Sequence, residues 1–299
     1  MTSVCQPPKI VAITIVSGRH DHLARQLDGV RAATTPPAEH IIVAMDDAAV
    51  HDIAAPYPST RVVDVEGAGK HLPLAQARNL GAQTAIDAGA EQLIFLDVDC
   101  VPGPALFRWY GAAADRTGGE RLLYCGPVTY LPPQADLSDL GALTYPHAAR
   151  PNPEAGDIVR DDEMTLFWSL SFALTVANWQ LIGGFETTYE GYGGEDTDFA
   201  MSAAANDFRI AWVGGAHAYH QYHPVSSPPV EHLDDILRNA RIFHARWGWW
   251  PMQGWLDAFR DQGLIAFDAG GDDWITLHPR SGDSGAGRRF RASRNGYAI

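Results

Sequence analysis

Cysteine is scarce in this sequence, which has only Cys5, Cys100 and Cys125 among 299 residues. The number is odd and no two of them form a Cys-x-x-Cys pair, so a disulfide framework is not expected. Chains with few cysteines and no disulfide pattern suit a reducing compartment, and we therefore expect a cytoplasmic location.

Long apolar runs and a basic surface are also missing. No stretch of about 18 apolar residues occurs, and the N-terminus lacks a basic region followed by a long apolar one, so neither a transmembrane segment nor a signal peptide is expected. The 36 acidic residues outnumber the 22 Lys and Arg, which gives a formal net charge of -14. Because nucleic-acid binders need a basic surface, no nucleic-acid partner is expected. A nucleotide ligand is still compatible with this charge, since a metal and a few local groups can hold its phosphates.

The first hundred residues alternate between apolar and amphipathic stretches, in a chain that is 46% hydrophobic. Buried strands are predicted over Lys9–Val16, His40–Met45, Arg61–Val65 and Leu93–Leu96. Helices are predicted over His22–Ala33, with Asp21 as N-cap, and over Pro73–Ala88. This alternation predicts an α/β fold with a mostly parallel central sheet flanked by helices.

The middle of the chain is less regular. We predict a helix over Leu106–Arg116, a strand over Leu122–Val128 and one or two strands within Leu166–Ala177. The proline-containing stretch Leu131–Asp162 shows no sustained periodicity and is interpreted as a long loop. A short helix over Asn178–Leu181 should end at the following glycines.

Asp97 and Asp99 directly follow the apolar run that ends at Leu96. On a strand, side chains at positions i and i+2 point to the same side, so the two carboxylates would lie together. They would repel each other unless a cation neutralised them, and divalent cations prefer oxygen ligands. Ligands of open α/β sheets bind at the carboxyl ends of the strands. The stretch predicts a metal-assisted site, although an isolated Asp-x-Asp is more often two solvated acids.

A second acidic stretch, GGFETTYEGYGGEDTDFA, covers residues 183–200. Its acids are Glu186, Glu190, Glu195, Asp196 and Asp198. The pair Gly193-Gly194 lets the backbone turn sharply and approach a ligand closely. A helix is predicted from Glu195 onward, and because the helix dipole favours acids in a first turn, these acids also have a purely structural explanation.

Three histidines, His217, His220 and His223, follow a predicted strand that begins at Arg209 and a Gly214-Gly215 turn. Neutral imidazole is a common metal ligand, and a spacing of three suits ligation from a loop or helix. We expect only one of them to be a ligand, with the others around it or on the substrate.

Taken in this order, Asp97-Val98-Asp99, Gly183-Gly184-Phe185, the Gly-Gly-Glu-Asp segment and a strand followed by His resemble a GT-A-type glycosyltransferase of the large family-2 group. The acidic stretch also looks like the C-terminal motif of the β-galactosyltransferase and N-acetylgalactosaminyltransferase group. The resemblance implies a GT-A fold over residues 8–225, with 226–299 as a C-terminal helical extension and tail packed on it.

The resemblance also implies roles for these residues. Asp97 and Asp99 would hold Mn²⁺ or Mg²⁺ on the diphosphate of a nucleotide sugar. His220 best matches the family's third metal ligand, with His217 and His223 as competitors. Asp196 would be the general base, and Glu195 would bind acceptor hydroxyls together with Gly194 and Tyr192.

The segment Ser17-Gly18-Arg19 follows the first strand. In members of the family, the corresponding segment contacts the nucleotide of the donor. Asp46 or Asp47 resembles the acid that reads the base, although both would also serve as plain strand-end caps. Arg78, in an Ala-Arg-Asn motif with Asn79, would face the donor, unless it lies on a solvated helix face. Val98 is also assigned to the donor site, but family members often have a bulky or acidic residue there, and we expect its side chain to point into the core.

The sequence therefore predicts a metal-dependent, inverting glycosyltransferase of the hexosyltransferase type. It would move a sugar from a nucleotide-diphosphate donor, UDP-linked in our prediction, to a hydroxyl of a glycan, lipid or small-molecule acceptor. The alternative is a nucleotide-sugar-binding or nucleotidyltransferase-like protein without glycosyl transfer, but Ser17-Gly18-Arg19 is short for the phosphate loop of a nucleotidyltransferase.

Overall fold

A computed structural model describes residues 8–66, 71–224 and 226–277. These residues fall into two compact units, one containing 8–66, 71–190 and 195–223 and the other 191–194, 224 and 226–277. No helix among the described residues is long and apolar enough to cross a membrane.

The first half of the larger unit alternates strands and helices. Its elements are β1 (Ile10–Val16), α1 (His20–Ala32), β2 (Glu39–Met45), α2 (Ala49–Ala54), β3 (Thr60–Val65), α3 (Leu74–Asp87), β4 (Gln92–Leu96), β5 (Cys100–Pro102) and α4 (Leu106–Thr117). The second half contains β6 (Leu122–Cys125), β7 (Val128–Tyr130), β8 (Ile158–Asp161), β9 (Ser171–Thr175), α5 (Val176–Ile182), α6 (Glu195–Ala204), β10 (Arg209–Val213) and β11 (Ala218–His220).

An eight-stranded sheet has the order β3-β2-β1-β4-β9-β6-β10-β8. The first four strands are parallel, as are β6 and β10, whereas β9 and β8 run antiparallel to their neighbours. The predicted α/β fold with a central sheet flanked by helices is confirmed. Because the neighbouring β1, β2 and β4 are parallel, their carboxyl ends lie at one edge, which is where the candidate site residues follow them.

Small side chains bring α3 close to this sheet. Ala75, Ala77, Ala82 and Ala85 are fully buried in the main core. A Cβ atom on Gly81 would lie only 2.5 Å from the Cγ2 atom of Ile13. The close packing places Arg78 of the same helix at the carboxyl edge of the sheet, beside the residues that follow β4.

A second, three-stranded sheet has the order β5-β11-β7. It forms because the chain after β4 turns back into β5, which pairs with β11 in antiparallel register, and His220 lies opposite Cys100. The leucines of the segment after β7 pack over this sheet in a small apolar cluster with Val101, Leu131 and Tyr219.

Three local predictions are wrong. Asp21 is not the N-cap of α1, because Gly18 and Arg19 adopt positive φ and start the helix at His20. Residues 131–162 are not only a loop, since they include β8, a four-residue edge strand that is too short to show a period. The strand predicted over 122–128 is divided at Gly126, where a Cβ atom would meet the carbonyl oxygen of Ala216 at 1.7 Å.

The smaller unit contains α7 (Leu233–Trp247), α8 (Gln253–Asp261) and a hairpin of β12 (Ile265–Asp268) and β13 (Asp273–Thr276). Its core consists of Ile236, Leu237, Leu256, Phe259, Ile265 and Trp274. The buried Asn239 donates hydrogen bonds to the backbone oxygens of Tyr192 (3.3 Å) and Gly193 (2.8 Å), which holds the segment 191–194 on α7. The hairpin was not part of the predicted helical extension, and the tail from residue 278 lies outside the described residues.

Candidate active site

The Asp97-Val98-Asp99 motif forms a tight turn rather than an extended strand. β4 ends at Leu96, and the Cys100 backbone N–H donates to the Asp97 carbonyl oxygen at 2.8 Å. Val98 is buried in an apolar cluster with Val16 and Leu23. Its side chain therefore points into the core, as expected, and its contact with a donor stays a prediction. The turn, and not strand alternation, places the two carboxylates near each other.

Asp99 lies in a group that could hold a metal ion. One oxygen of Asp99 and one ring nitrogen each of His220 and His223 lie within 4.8 Å of one another. The Nε2 atoms of His220 and His223 are 3.5 and 3.4 Å from the Asp99 carboxylate. Arg19 also forms an ion pair with this carboxylate through Nη1. Two histidines, not the single one expected, are thus placed for ligation with Asp99.

The protonation states in this group suit a metal site. Burial alone would raise the pKa of Asp99, but His220, His223 and Arg19 hold it well below its usual range. Burial lowers the pKa of His220, which favours the neutral imidazole that can donate a lone pair. An ionised carboxylate and a neutral imidazole are the forms that ligate a cation.

His217 has a different setting. Its Nε2 atom forms a 2.7 Å hydrogen bond with the Thr129 hydroxyl, and burial lowers its pKa to about 4. Its side chain therefore joins β11 to β7. Among the three candidate histidines, His217 is the one outside the group around Asp99.

Arg78 is buried and joins the two acidic motifs. Its Nη2 atom donates to Asp97 and its Nη1 atom to Glu195, both at 3.2 Å, and its guanidinium lies 5.2 Å from the centre of the Phe185 ring. The alternative of a solvated helix face is therefore wrong, because Arg78 is only 4% exposed. Its predicted contact with a donor stays a prediction.

The carboxylates near Arg78 titrate differently from Asp99. Burial raises the pKa of Asp97 to about 6, with the charge of Asp99 adding to the effect and Arg78 opposing it. Burial and the neighbouring Glu195 raise the pKa of Asp196 to about 7. A carboxylate with a pKa near neutrality can both accept and release a proton at physiological pH.

The helix α6 begins with these acids, as predicted. Glu195 is buried against Arg78, and Asp198 is 1% exposed and accepts a hydrogen bond from the Tyr189 hydroxyl at 3.1 Å. Asp196 is partly exposed and accepts from the backbone N–H of Thr197 at 2.7 Å. Of the three acids, Asp198 has a structural role.

The predicted nucleotide contacts lie at the ends of β1 and β2. The backbone N–H of Gly18 donates to Asp47 at 2.7 Å, and His20 lies 2.8 Å from the same carboxylate. Burial alone would raise the pKa of Asp47, but these two hydrogen bonds hold it below its usual value. Asp47 thus caps the turn after Ser17, whereas Asp46 is exposed with positive φ.

The predicted acceptor residues Tyr192 and Gly194 belong to the smaller unit. Tyr192 stacks with His232 and Trp255, with ring centres 4.6 and 5.6 Å apart, and 39% of it is exposed. The ring of Tyr192 is held by aromatic neighbours on the same unit, and its contact with an acceptor stays a prediction.

Sequence reasoning missed two buried glutamines beside the candidate metal group. Gln26 of α1 donates to the carbonyl oxygens of Asp97 and Cys100, and the backbone N–H of Gln221 donates to the carbonyl oxygen of Asp99 at 2.7 Å. The only available signal for Gln26 was an amide among the apolar positions of a predicted helix.

Comparisons with known proteins agree with this architecture. The profile of a family described as "N-terminal domain of galactosyltransferase" matches residues 159–224, which include Glu195, Asp196 and the three histidines. No curated protein sequence matches the chain.

Solved structures give a match over most of the chain. A crystal structure of GalNAc-T7 with UDP, GalNAc and Mn²⁺ is 16% identical with a TM-score of 0.55, and it covers 87% of this chain and 52% of its own. A crystal structure of S. aureus TarS, residues 1–349, is 14% identical with a TM-score of 0.55, and it covers 85% of this chain and 68% of its own. This chain thus spans about half the length of the GalNAc-T7 chain. The predicted GT-A fold is confirmed, and residues 159–224 are similar to a galactosyltransferase domain.

Proposed function

We propose that this protein is a metal-dependent, inverting hexosyltransferase that uses a UDP-linked sugar as donor. The observation that carries the proposal is the group of Asp99, His220 and His223, with ligand atoms within 4.8 Å of one another at the carboxyl edge of the sheet. Arg78 links the turn that carries Asp99 to the helix that carries Asp196. A cation site and a candidate base thus belong to one connected arrangement of side chains.

The donor set fits a divalent ion with affinity for nitrogen as well as oxygen. Mg²⁺ prefers oxygen ligands and retains several waters, whereas Mn²⁺ suits carboxylate oxygens and, as a transition ion, also binds imidazole. We therefore propose Mn²⁺, bound by Asp99, His220 and His223, while ligation by Asp97, which accepts a hydrogen bond from Arg78, stays a prediction. The presence of UDP and Mn²⁺ in the GalNAc-T7 crystal structure supports this choice. When bound, the ion would neutralise charge on the diphosphate of the leaving nucleotide.

Asp196 acts as the general base in this proposal. As the acceptor oxygen attacks the anomeric carbon, its proton passes to the Asp196 carboxylate, and the sugar–oxygen bond to the diphosphate breaks on the opposite face. A single displacement of this kind inverts the configuration at the anomeric carbon. The raised pKa of about 7 supports the role, because it makes the carboxylate a stronger base than an ordinary one.

The other residues predicted for the site bind substrates in this proposal. Arg19, whose side chain is 40% exposed, would pair with a donor phosphate, and Ser17 and Asp46 or Asp47 would contact the nucleoside. Glu195 would bind the acceptor, a glycan, lipid or small molecule, and contacts of Gly194 and Tyr192 with the acceptor stay predictions. A cytoplasmic location and the division into residues 8–225 and 226–299 stay predictions.

Calorimetry with UDP, in the presence and absence of Mn²⁺, tests the donor site. We expect UDP to bind tightly only with Mn²⁺, and Asp99→Ala to weaken that binding by at least about tenfold, since the variant lacks a charged ligand. Asp87→Ala, which removes an exposed carboxylate on α3, is the control and should bind like the wild type.

Three other outcomes would correct the proposal. Metal-dependent binding of GDP in place of UDP would keep the mechanism and change the donor. Absence of metal-dependent binding for any nucleoside diphosphate would overturn the metal site. A product with retained anomeric configuration, measured by proton NMR, would overturn the single displacement.

A further inference from the structure

One face of α1 contacts both segments that carry the candidate metal ligands. His22 and Gln26 are four residues apart and therefore share a side of α1, and Arg19 is the N-cap that precedes the helix. Arg19 pairs with the Asp99 carboxylate, and the His22 carbonyl oxygen accepts a hydrogen bond from the Gln221 side chain at 3.0 Å. Gln221 lies between His220 and His223, so this bond reaches the histidine segment.

Gln26 makes the most specific of these contacts. Its Nε2 atom donates to the carbonyl oxygens of Asp97 at 2.7 Å and of Cys100 at 2.9 Å, the two residues that begin and end the turn. Gln26 is completely buried, and both hydrogens of its amide are used. The Gln26 amide therefore bridges the carbonyl groups at the two ends of the turn.

A second layer fixes the orientation of the Gln26 amide. The Thr14 hydroxyl donates to the Gln26 Oε1 atom at 2.9 Å, and the same hydroxyl is 2.9 Å from the His40 Nε2 atom. Since a hydroxyl has one hydrogen, which goes to Gln26, His40 must donate from Nε2. The amide cannot rotate without breaking this buried network.

We propose that Gln26 is a positioning residue for the metal centre, which holds the Asp97–Cys100 turn in the shape that directs the Asp99 carboxylate towards His220 and His223. The inference rests on the proposed function, because that function makes the turn part of a metal site. Groups that orient metal ligands from outside the coordination sphere commonly change metal affinity by about 10- to 100-fold when they are removed.

Gln92, in the strand that precedes the turn, supplies a matched comparison for Gln26. It begins β4 at the end opposite the turn, is 1% exposed and donates one hydrogen bond to the carbonyl oxygen of Tyr110 at 2.9 Å. Its Oε1 atom has no hydrogen-bond partner in the part of the chain that the structure describes. Loss of either glutamine removes a buried amide, but only Gln26 contacts the metal-binding turn.

The test measures Mn²⁺ binding without a nucleotide, by the loss of the free-ion signal in electron paramagnetic resonance. The variants are Gln26→Leu, Gln26→Met, which keeps the length of the side chain and removes the two donors, and Gln92→Leu. We expect both Gln26 variants to bind Mn²⁺ about 10- to 100-fold more weakly and Gln92→Leu to bind like the wild type. Wild-type affinity in both Gln26 variants, or equal loss in Gln92→Leu, would overturn the proposal. A loss in Gln26→Leu alone would assign the effect to packing and overturn it as well.

Hydrogen exchange distinguishes failure of this inference from failure of the proposed function. Peptides that cover residues 97–101 report the backbone hydrogen bond from Cys100 to Asp97 without any metal. Faster exchange there in both Gln26 variants, and not in Gln92→Leu, supports the positioning role even if the wild type binds no Mn²⁺, in which case only the proposed metal centre fails. Unchanged exchange in the Gln26 variants overturns the positioning role.

Discussion

Asp99 and Asp196 have the same type of side chain, but their surroundings shift its pKa in opposite directions. Two histidines and Arg19 surround the Asp99 carboxylate and hold its pKa well below the usual range. Burial and the adjacent Glu195 raise the pKa of Asp196 to about 7. Environments that separate the pKa values of two carboxyl groups also separate their chemical roles. The region around Asp99 suits cation binding, and the start of α6 suits proton transfer.

The two regions are linked through Arg78, which donates to Asp97 on one side and Glu195 on the other. Because a planar guanidinium has donors fixed in direction, it sets the positions of both carboxylates at once. The difference between the regions therefore comes from the groups that contact each carboxylate from elsewhere in the fold, and not from the acids themselves.

The largest effect is expected from a substitution that removes the proposed base and leaves the region around Asp99 intact. Asp196→Asn should lower kcat by about 100- to 10,000-fold, because a positioned general base contributes roughly that much to a rate. UDP binding in the presence of Mn²⁺ should change little. Turnover assays of donor and acceptor, with calorimetry of UDP, measure the two quantities.

Asp198→Asn is the matched control for this variant, since it makes the same change two residues later in α6, where the carboxylate binds the Tyr189 hydroxyl. We expect Asp198→Asn to lower the free energy of unfolding and to leave kcat nearly unchanged. Near-normal kcat in Asp196→Asn would show that the base assignment is wrong.

A smaller effect, on Mn²⁺ affinity, is expected to distinguish His223 from His217. His223→Ala should weaken Mn²⁺ binding by about 10-fold or more, because it removes one of three grouped ligand atoms. His217→Ala should leave Mn²⁺ binding unchanged, since this side chain binds Thr129. Mn²⁺ titration of both variants tests this prediction. Equal loss of Mn²⁺ affinity in the two variants would show that the prediction is wrong.

The smallest expected effect concerns stability and pH in the absence of metal. The pKa of Asp196 is raised in the folded chain, so its protonated form favours folding; this contribution is complete below the unfolded-state pKa of about 3.9 and is lost as the pH rises to about 7. Asp196→Asn has no such loss. We therefore expect the difference in unfolding temperature, variant minus wild type, to be a few degrees larger at about pH 8 than at about pH 5.5.

Thermal unfolding of the two proteins across this range measures the difference. Glu120→Gln serves as a control of opposite sign, because the ion pair with Arg160 holds the pKa of Glu120 below its usual value. A difference between Asp196→Asn and the wild type that does not depend on pH would contradict the raised pKa.

Local patterns predicted much of the fold and the site. The apolar runs located β1, β2, β3 and β4, the alanines located the buried face of α3, and the glycines located the start of α6. Prediction failed for β8, because a four-residue edge strand with no buried side chain is too short to show a period. It also failed for the N-terminus of α1, where the backbone of Arg19 adopts a conformation unusual for its residue type.

The sequence by itself determined the chemical repertoire: carboxylates after β4 and at the start of α6, and imidazoles after β10. Periodicity reports which face of an element is buried, and so it was sufficient for the alternation of strands and helices. Only the tertiary structure decided that His220 and His223 lie beside Asp99 while His217 binds Thr129, that Arg78 is buried between two acidic motifs, and that Gln26 holds the turn. These outcomes depend on contacts between residues far apart in the chain, and the pKa values that separate Asp99 from Asp196 come from those contacts.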